Sequence, residues 1–340
     1  MQYSAELEKI ARDLAGGDRG ILAADESTGT IGKRLQTIGV ENTEEHRRAY
    51  RDLLFSAPDV SKYISGVILY DETIRQKTAD GVAFPEFMRQ NNMIPGIKVD
   101  TGAKDLVASD GEKITEGLDG LRDRLAEYHK LGARFAKWRA VIEIDAQRPS
   151  EYALTTNAHA LARYAALCQE AGIVPIVEPE VLMDGDHDIA RCFSVTEHTL
   201  HTVFNALYDQ HVVLENILLK PNMVISGKKC AQQASVEEVA TETLRCLKRA
   251  VPAAVPGIVF LSGGQSDQLA TAHLNAMNAK GPLPWLVSFS YGRALQAPAL
   301  KAWQGKTDQV GKAQDALLLR ARLNSAACSA GYTVDMEKTS

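Results

Sequence analysis

The chain has 340 residues, of which 45% are hydrophobic and 24% charged, as in soluble globular proteins. Its net charge of −5 and pI near 5.9 argue against binding to nucleic acids or anionic membranes, which require a basic surface. No membrane span or signal peptide is predicted, and an odd number of cysteines, five, without a C-x-x-C pair predicts reduced thiols and a cytoplasmic location.

Eight short apolar runs predict β-strands along the chain. They are continuously apolar rather than alternating, which is typical of strands buried on both faces of a parallel sheet. In chain order they cover residues 20–24, 65–70, 94–99, 133–138, 173–178, 216–220, 257–263 and 286–292.

Helical periodicity lies between most of these runs. Apolar residues at 118–128 predict a helix that ends near Gly132. Thr196 is interpreted as the N-cap of a later helix, and Ser235 with Glu238 forms a capping box that opens another.

Eight buried strands alternating with helices predict a (β/α)₈ TIM barrel of the α/β class. A doubly wound open sheet is the alternative, but Gly29-x-x-Gly32 is not the G-x-G-x-x-G fingerprint of that fold. No break in composition divides the chain. We therefore predict one barrel domain over residues 1–340, with an extra N-terminal helix, a C-terminal helical segment and a loose tail at 328–340.

Polar and ionisable residues stand at the ends of the apolar runs, where a barrel gathers its active site. A single lysine there usually belongs to a solvated rim. Several lysines and carboxylates at the same end instead indicate mutual pairing or chemistry, because an unpaired buried ammonium is costly. The residues are Asp25, Lys98, Lys137, Glu178, Glu180, Lys220, Ser262 and Arg293.

This combination of residue types favours imine chemistry on a phosphorylated carbonyl compound. Burial and a neighbouring cation can both lower the pKa of a lysine, which makes the amine nucleophilic, and carboxylates can move the protons. The turn 262–264 and the pair Gly292-Arg293 follow the last two strands, where many barrels bind phosphate. A second basic set, Lys33, Arg34 and Lys98, predicts another anion site across the mouth.

Six segments together resemble class I fructose-1,6-bisphosphate aldolase, and the resemblance runs from about residue 5 to residue 332. The order and spacing of the motifs hold throughout. They are GILAADESTGTIGKRL (20–35), FAKWR (135–139), GIVPIVEPE (172–180), LLKPNM (218–223), FLSGGQS (260–266) and FSYGRALQ (289–296).

The resemblance implies a homotetrameric TIM barrel of glycolysis and gluconeogenesis that uses no metal or other cofactor. Such a lyase cleaves fructose 1,6-bisphosphate reversibly into dihydroxyacetone phosphate and glyceraldehyde 3-phosphate. Lys220 would form the Schiff base, and Glu178 would act as general acid and base. Glu180, Lys137 and Asp25 would complete the charged core, with Lys137 activating the amine and Asp25 orienting the substrate.

The resemblance also assigns residues to the two phosphate ends of the substrate. For the dihydroxyacetone half these are Ser262, Gly263, Gly292 and Arg293. The other end and the remaining binding positions are matched by Ser27, Thr30, Arg34, Lys98 and Arg139, with Thr30 standing where some relatives have serine.

The C-terminus departs from the family pattern. Animal members end in a tyrosine that assists proton transfer at the enamine carbon, whereas this chain ends in Glu-Lys-Thr-Ser and its last tyrosine is Tyr332. Either another acid supplies that proton or the proton exchanges slowly.

Two other functions remain open from the sequence: a phosphosugar isomerase that uses Glu178 as its base, and a non-catalytic binding or scaffold barrel. The acidic run 184–188 is interpreted as a solvated loop, because no H-x-H or H-E-x-x-H partner accompanies it. His198 and His201 are interpreted as a solvated helix face. Gly305-Lys306-Thr307 lacks the earlier glycine of a P-loop.

Overall fold

A computed structural model describes residues 4–338, and eight of its ten strands close into a parallel barrel in the order β1-β10-β9-β8-β7-β6-β3-β2. The other two, β4 and β5, form an antiparallel hairpin. The strands are β1 Gly20–Ala23, β2 Ile64–Leu69, β3 Ile94–Lys98, β4 Gly102–Asp105, β5 Lys113–Glu116, β6 Phe135–Ile142, β7 Val174–Val181, β8 Leu218–Leu219, β9 Gly257–Phe260 and β10 Leu286–Tyr291. The predicted TIM barrel is confirmed.

Helices surround the barrel and pack on its strands through one extensive apolar layer. The predicted N-terminal helix and C-terminal helical segment are both present, as α1 and α12. The helices are α1 Ser4–Ala15, α2 Thr28–Gln36, α3 Glu44–Phe55, α4 Asp71–Ile74, α5 Phe84–Gln90, α6 Leu121–Lys130, α7 Glu151–Glu170, α8 Ile189–Asp209, α9 Val236–Ala250, α10 Asp267–Asn278, α11 Arg293–Trp303 and α12 Val310–Cys328. None of the helices in the described part of the chain has the length and apolar character needed to cross a membrane.

Helix α1 packs against the interior of the barrel at its amino-terminal end. Leu7 and Leu14 of this helix are fully buried, in one cluster with Phe135, Ile176 and other inward-facing strand residues. Phe135 fills the space beside Gly96, where a Cβ atom would lie only 2.3 Å from the ring carbon Cζ. The packing of α1 fills this end of the barrel interior in the described part of the chain.

Several strand and helix boundaries differ from the prediction. The strands expected at 133–138 and 173–178 continue to Ile142 and Val181, because the charged residues near their ends still belong to the ladder. The hairpin β4–β5 was not predicted, since its sequence is largely polar and resembles a loop, and most of its residues are exposed or half-exposed. Strand β8 has only two residues, because 214–216 form a short 3₁₀ turn.

The capping predictions were right at one helix and wrong at another. Ser235 caps α9, with its side chain accepting the Glu238 N–H. Thr196 is not an N-cap: α8 begins seven residues earlier, where Asp188 accepts the N–H of Arg191 at 2.7 Å. Thr196 is buried within that helix and its hydroxyl accepts a hydrogen bond from Asn222.

Part of the segment predicted as a loose tail contacts α12, although most of residues 331–338 are exposed. Tyr332 is buried, and its hydroxyl donates to Glu337 at 2.9 Å. Glu337 in turn pairs at 2.6 Å with Arg320 of α12, whose side chain is only 3% exposed. A buried guanidinium requires a carboxylate partner, so the ion pair with Arg320 holds Glu337 against α12. The last two residues of the predicted tail lie outside the described residues.

Candidate active site

A cavity of about 530 Å³ opens at the carboxyl ends of the barrel strands. It gathers the residues that the sequence had singled out for catalysis or substrate binding, with the exception of Lys33. These are Asp25, Ser27, Thr30, Arg34, Lys98, Lys137, Arg139, Glu178, Glu180, Lys220, Ser262, Gly263, Gly292 and Arg293. Lys33 does not line this cavity but an adjacent one of about 760 Å³.

Strand geometry explains how distant residues share this cavity. Side chains two positions apart on a strand point the same way, so Lys137 and Arg139 of β6 line the cavity together, as do Glu178 and Glu180 of β7. The β6–β7 register pairs Arg139 with Glu178, which places the cations of one strand beside the carboxylates of the other.

Lys137 is the centre of a buried charge cluster. Its Nζ atom lies 2.7 Å from Asp25 Oδ2, 3.6 Å from Glu178 Oε2 and 4.0 Å from Asp100 Oδ2. Burial opposes the charge on this amine, but the surrounding carboxylates outweigh it and raise the pKa of Lys137 above its usual value. Lys137 is therefore a fixed cation at neutral pH.

Asp25 has a correspondingly depressed pKa. Burial would raise it, but the charges of Lys137, Lys220 and Lys98 together outweigh burial and lower the pKa of Asp25 from 3.8 to about 2. The carboxylate is therefore ionised throughout the physiological pH range and provides a fixed negative charge beside Lys137.

Lys220 follows β8 directly and has a simpler environment. Its backbone N–H donates to the Val177 carbonyl at 2.8 Å, and its Nζ lies 3.2 Å from Glu178 Oε1. Among the described residues, Lys220 thus has one carboxylate partner where Lys137 has three. Only 4% of the Lys220 residue is exposed, so the amine is held against that single carboxylate at the base of the cavity.

The second oxygen of Glu178 is available to a ligand. Glu178 Oε2 is buried and has no hydrogen-bond partner within residues 4–338. Buried carboxylate oxygens are normally paired, and this one borders the cavity. It can take up or deliver a proton on a bound molecule while Oε1 remains beside Lys220.

Carboxylates neutralise the cations on one side of the mouth. Lys98 pairs with Asp100 Oδ1 at 3.0 Å, which separates it from Lys137, its register partner on β6. Arg139 pairs with Glu180, and Arg34 pairs with Glu26. Ser27 caps α2 and its hydroxyl lies 3.1 Å from the hydroxyl of Thr30.

The opposite side of the mouth is built from backbone N–H groups and an unpaired cation. Gly263 and Gly264 have φ values of +56° and +76°, a conformation that favours glycine. Their N–H groups donate to no backbone carbonyl in the described chain. Gly292 precedes α11, whose first residue Arg293 has no ion-pair partner between residues 4 and 338. Such a corner is suited to a phosphate group.

Four charged residues line the cavity that the sequence analysis had not assigned to the site: Glu26, Asp100, Asp184 and Lys228. Asp100 lies past the end of β3 and received no role in the sequence analysis, yet it is buried and its carboxylate pairs with Lys98 and approaches Lys137. Its position two residues after Lys98, at the same strand end, was the only available signal.

No group of three or more His, Cys, Asp or Glu side chains in the described residues is arranged to hold a metal ion. In the acidic run, Asp184 pairs with Lys228 at 2.8 Å and Asp188 caps α8. His198 contacts Glu151 through Nε2 at 2.8 Å. These residues therefore have identifiable structural partners.

Comparisons with known proteins find relatives over nearly the whole chain. The family model "Fructose-bisphosphate aldolase class-I" matches residues 6–340. A probable class 1 fructose-bisphosphate aldolase of Xanthomonas campestris is 60% identical, covering 95% of this chain and 97% of the relative. A cytosolic aldolase of Arabidopsis thaliana is 56% identical, over 98% of this chain and 85% of the relative.

A solved structure gives the same result. Fructose-bisphosphate aldolase from Plasmodium falciparum, crystallised with TRAP and a small-molecule inhibitor, superimposes with a TM-score of 0.96 at 50% identity, covering 98% of this chain and 96% of that one. On this evidence of sequence and structure together, the chain belongs to the class I fructose-bisphosphate aldolase family.

Proposed function

We propose that this chain cleaves fructose 1,6-bisphosphate reversibly to dihydroxyacetone phosphate and glyceraldehyde 3-phosphate through a Schiff base on Lys220, without a metal. Aldol cleavage of this substrate is the reaction of the family to which the chain belongs. The observation that carries the mechanism is the contact of one carboxylate, Glu178, with Lys220 at 3.2 Å and with Lys137 at 3.6 Å.

Imine formation requires a nucleophilic amine and a group that moves protons. Lys220 Nζ would pass a proton to Glu178 Oε1 and attack the C2 carbonyl of the sugar. Glu178 would then protonate the carbinolamine hydroxyl, which leaves as water. Lys137 is held as a cation by three carboxylates and so stays positive while Lys220 reacts.

Cleavage of the C3–C4 bond requires a base at the C4 hydroxyl and an acceptor for two electrons. Glu178 Oε2, which has no hydrogen bond in the described residues and lies 3.6 Å from Lys137 Nζ, would supply the base, and C4 leaves as the aldehyde of glyceraldehyde 3-phosphate. The bonding electrons move to C3 and C2 and neutralise the protonated imine as an enamine. Protonation at C3 and hydrolysis of the imine release dihydroxyacetone phosphate and restore the Lys220 amine.

The two phosphates would occupy opposite sides of the mouth. The 1-phosphate fits the N–H groups at Ser262–Gly264 and Gly292, with the unpaired Arg293 guanidinium as its cation. The 6-phosphate would lie among the basic and hydroxyl side chains at the other side, namely Ser27, Thr30, Arg34, Lys98 and Arg139.

Tyr332 does not line the cavity; it is buried beside α12 and its hydroxyl donates to Glu337. This position does not support Tyr332 as the acid that protonates C3. Either another acid would supply this proton in the present chain, or the proton would exchange slowly.

Neither alternative function accounts for the site as well. An isomerase would use Glu178 as a base but has no need for a buried lysine 3.2 Å from it. A barrel retained only for binding has no need for the buried cluster around Lys137, because buried charges cost free energy that an apolar core avoids.

We further propose that residues 1–340 act as one domain, that the chain assembles as a homotetramer and that it is located in the cytoplasm. Family membership and the cytosolic relative from Arabidopsis thaliana support these assignments. Light scattering coupled to gel filtration tests the assembly, with four times the 37.0 kDa chain mass as the expected result.

A coupled assay for fructose 1,6-bisphosphate cleavage tests the function. We expect turnover that survives EDTA and is abolished by Lys220→Ala. Loss of activity on chelation, or turnover by the Lys220→Ala variant close to that of the wild type, would contradict the mechanism. Isomerisation of phosphosugars without cleavage would contradict the reaction.

A further inference from the structure

Lys228 lines the active-site cavity but has no part in the mechanism described so far. It follows β8 by nine residues, in the loop that begins at Lys220 and leads to α9. About 41% of its side chain is exposed, and its Nζ contacts Asp184 Oδ1 at 2.8 Å. This ammonium lies beside Gly264 and Arg293, where the 1-phosphate is proposed to bind.

Gly264 shows that Lys228 and Arg293 converge on one place. A Cβ atom at Gly264 would lie 2.8 Å from Lys228 Nζ and 2.9 Å from Arg293 Nη2. The two cationic nitrogens are therefore about 6 Å apart at most, close enough to contact one phosphate from two sides. Two cations this close repel each other unless an anion lies with them.

The local charge balance is positive before a ligand binds. Asp184 is the one carboxylate paired with Lys228, and Arg293 has no ion-pair partner in the described residues. The free N–H groups of Gly263 and Gly264 add further partial positive charge to the same corner. A single carboxylate thus balances two cations and a set of backbone donors.

The backbone around Lys228 is fixed by three consecutive hydrogen bonds to the loop after β7. The N–H groups of Gly227, Lys228 and Lys229 donate to the carbonyls of His187, Met183 and Gly185 at 2.8, 2.7 and 3.0 Å. Gly227 allows this close approach, since a Cβ atom there would lie 2.3 Å from the Gly185 carbonyl oxygen. The loop therefore holds Lys228 at the cavity wall.

We propose that Lys228 is a substrate-binding residue that contacts the 1-phosphate opposite Arg293, with Asp184 holding the ammonium in position while the site is empty. The assignment rests on the proposed function for the orientation of the substrate. It predicts that Lys228 acts on every substrate with a 1-phosphate, whether or not a 6-phosphate is present.

Kinetics with two substrates test the assignment. We expect Lys228→Gln to raise KM about tenfold for both fructose 1,6-bisphosphate and fructose 1-phosphate, as expected for loss of a charge-assisted contact. Lys228→Arg should restore most of the affinity. Lys229→Gln is the matched control, because it removes the same charge from the adjacent exposed residue, which does not line the cavity.

The results that would overturn the assignment are distinct. KM values of Lys228→Gln within twofold of those of Lys229→Gln would exclude the contact, and a rise for fructose 1,6-bisphosphate alone would place Lys228 at the other phosphate. Calorimetric titration with inorganic phosphate needs no turnover and therefore tests Lys228 even if the wild type cleaves neither sugar. Weaker phosphate binding by Lys228→Gln than by Lys229→Gln supports the proposal, and equal binding refutes it.

Discussion

Replacing Lys137 by methionine should show how much this cation contributes to the free energy of unfolding. The substitution keeps the volume of the side chain approximately and removes its charge, leaving Asp25, Glu178 and Asp100 without the cation that lies within 4.0 Å of each. At an effective dielectric constant of about 20, one such pair at 4 Å is worth about 4 kcal/mol. The variant no longer buries an ammonium group, and the desolvation cost that it avoids offsets part of this loss. We therefore expect a net destabilisation of about 3–5 kcal/mol at pH 7.

The destabilisation should depend on pH in a defined direction. In the wild type, the pKa of Asp25 is lowered to about 2, so its contribution to stability is present above its unfolded value near 3.8 and lost as the pH falls towards 2. Without Lys137, burial would be opposed by the more weakly acting charges of Lys220 and Lys98, and we expect the pKa of Asp25 to rise above 3.8. The folded variant then binds more protons than the unfolded chain, and its stability falls as pH rises through that raised value.

Urea unfolding followed by circular dichroism at several pH values between 4 and 8 measures this difference. We expect the stability gap between wild type and Lys137→Met to narrow as the pH is lowered. Lys9→Met is the control, since Lys9 pairs with Asp13 at 2.5 Å but has a side chain that is 75% exposed, and exposed pairs contribute little. A difference in the free energy of unfolding below about 1 kcal/mol at pH 7 would contradict the stabilising role of Lys137 in the cluster. A difference that widens as the pH falls would contradict it as well.

Two further substitutions test the proton path and the barrel interior. Glu178→Gln should lower kcat about 10²–10⁴-fold, because an amide cannot move the protons that imine formation and cleavage require, and a loss below tenfold would place the acid–base function elsewhere. Gly96→Ala should destabilise the fold by about 1–3 kcal/mol, because its Cβ would overlap the Phe135 ring. Gly29→Ala is the control, since no atom lies within 4 Å of a Cβ at that position, and it should not destabilise the fold. Similar free energies of unfolding for the two variants would contradict the close packing at Gly96.

The sequence was sufficient to predict the barrel because its strands are buried on both faces. The run 257–261, for example, is apolar throughout, and this pattern has few alternatives in a chain of this length. Features that depend on contacts distant in sequence were harder to predict. Thr196 has the residue type of an N-cap, but the helix begins at Ile189, and Asn222 from another segment satisfies the Thr196 hydroxyl.

The charged residues at the strand ends were predicted better than the pairs they form. Lys137, Glu178 and Lys220 were selected from the sequence, and the fold brings all three into contact. Asp100 and Lys228 were missed because a charged residue in a loop is usually solvated. Their position at the cavity depends on the closure of the barrel and on loop–loop hydrogen bonds, which have no signature in local sequence.

The most direct test of the mechanism is to identify the lysine that bonds to the substrate. Borohydride added with dihydroxyacetone phosphate reduces an imine to a stable amine, and peptide mapping then locates the modified residue. The structure offers two buried lysines beside Glu178, so the experiment discriminates between neighbours. We predict a single adduct on Lys220. An adduct on Lys137 or another lysine, or none at all, would contradict the mechanism.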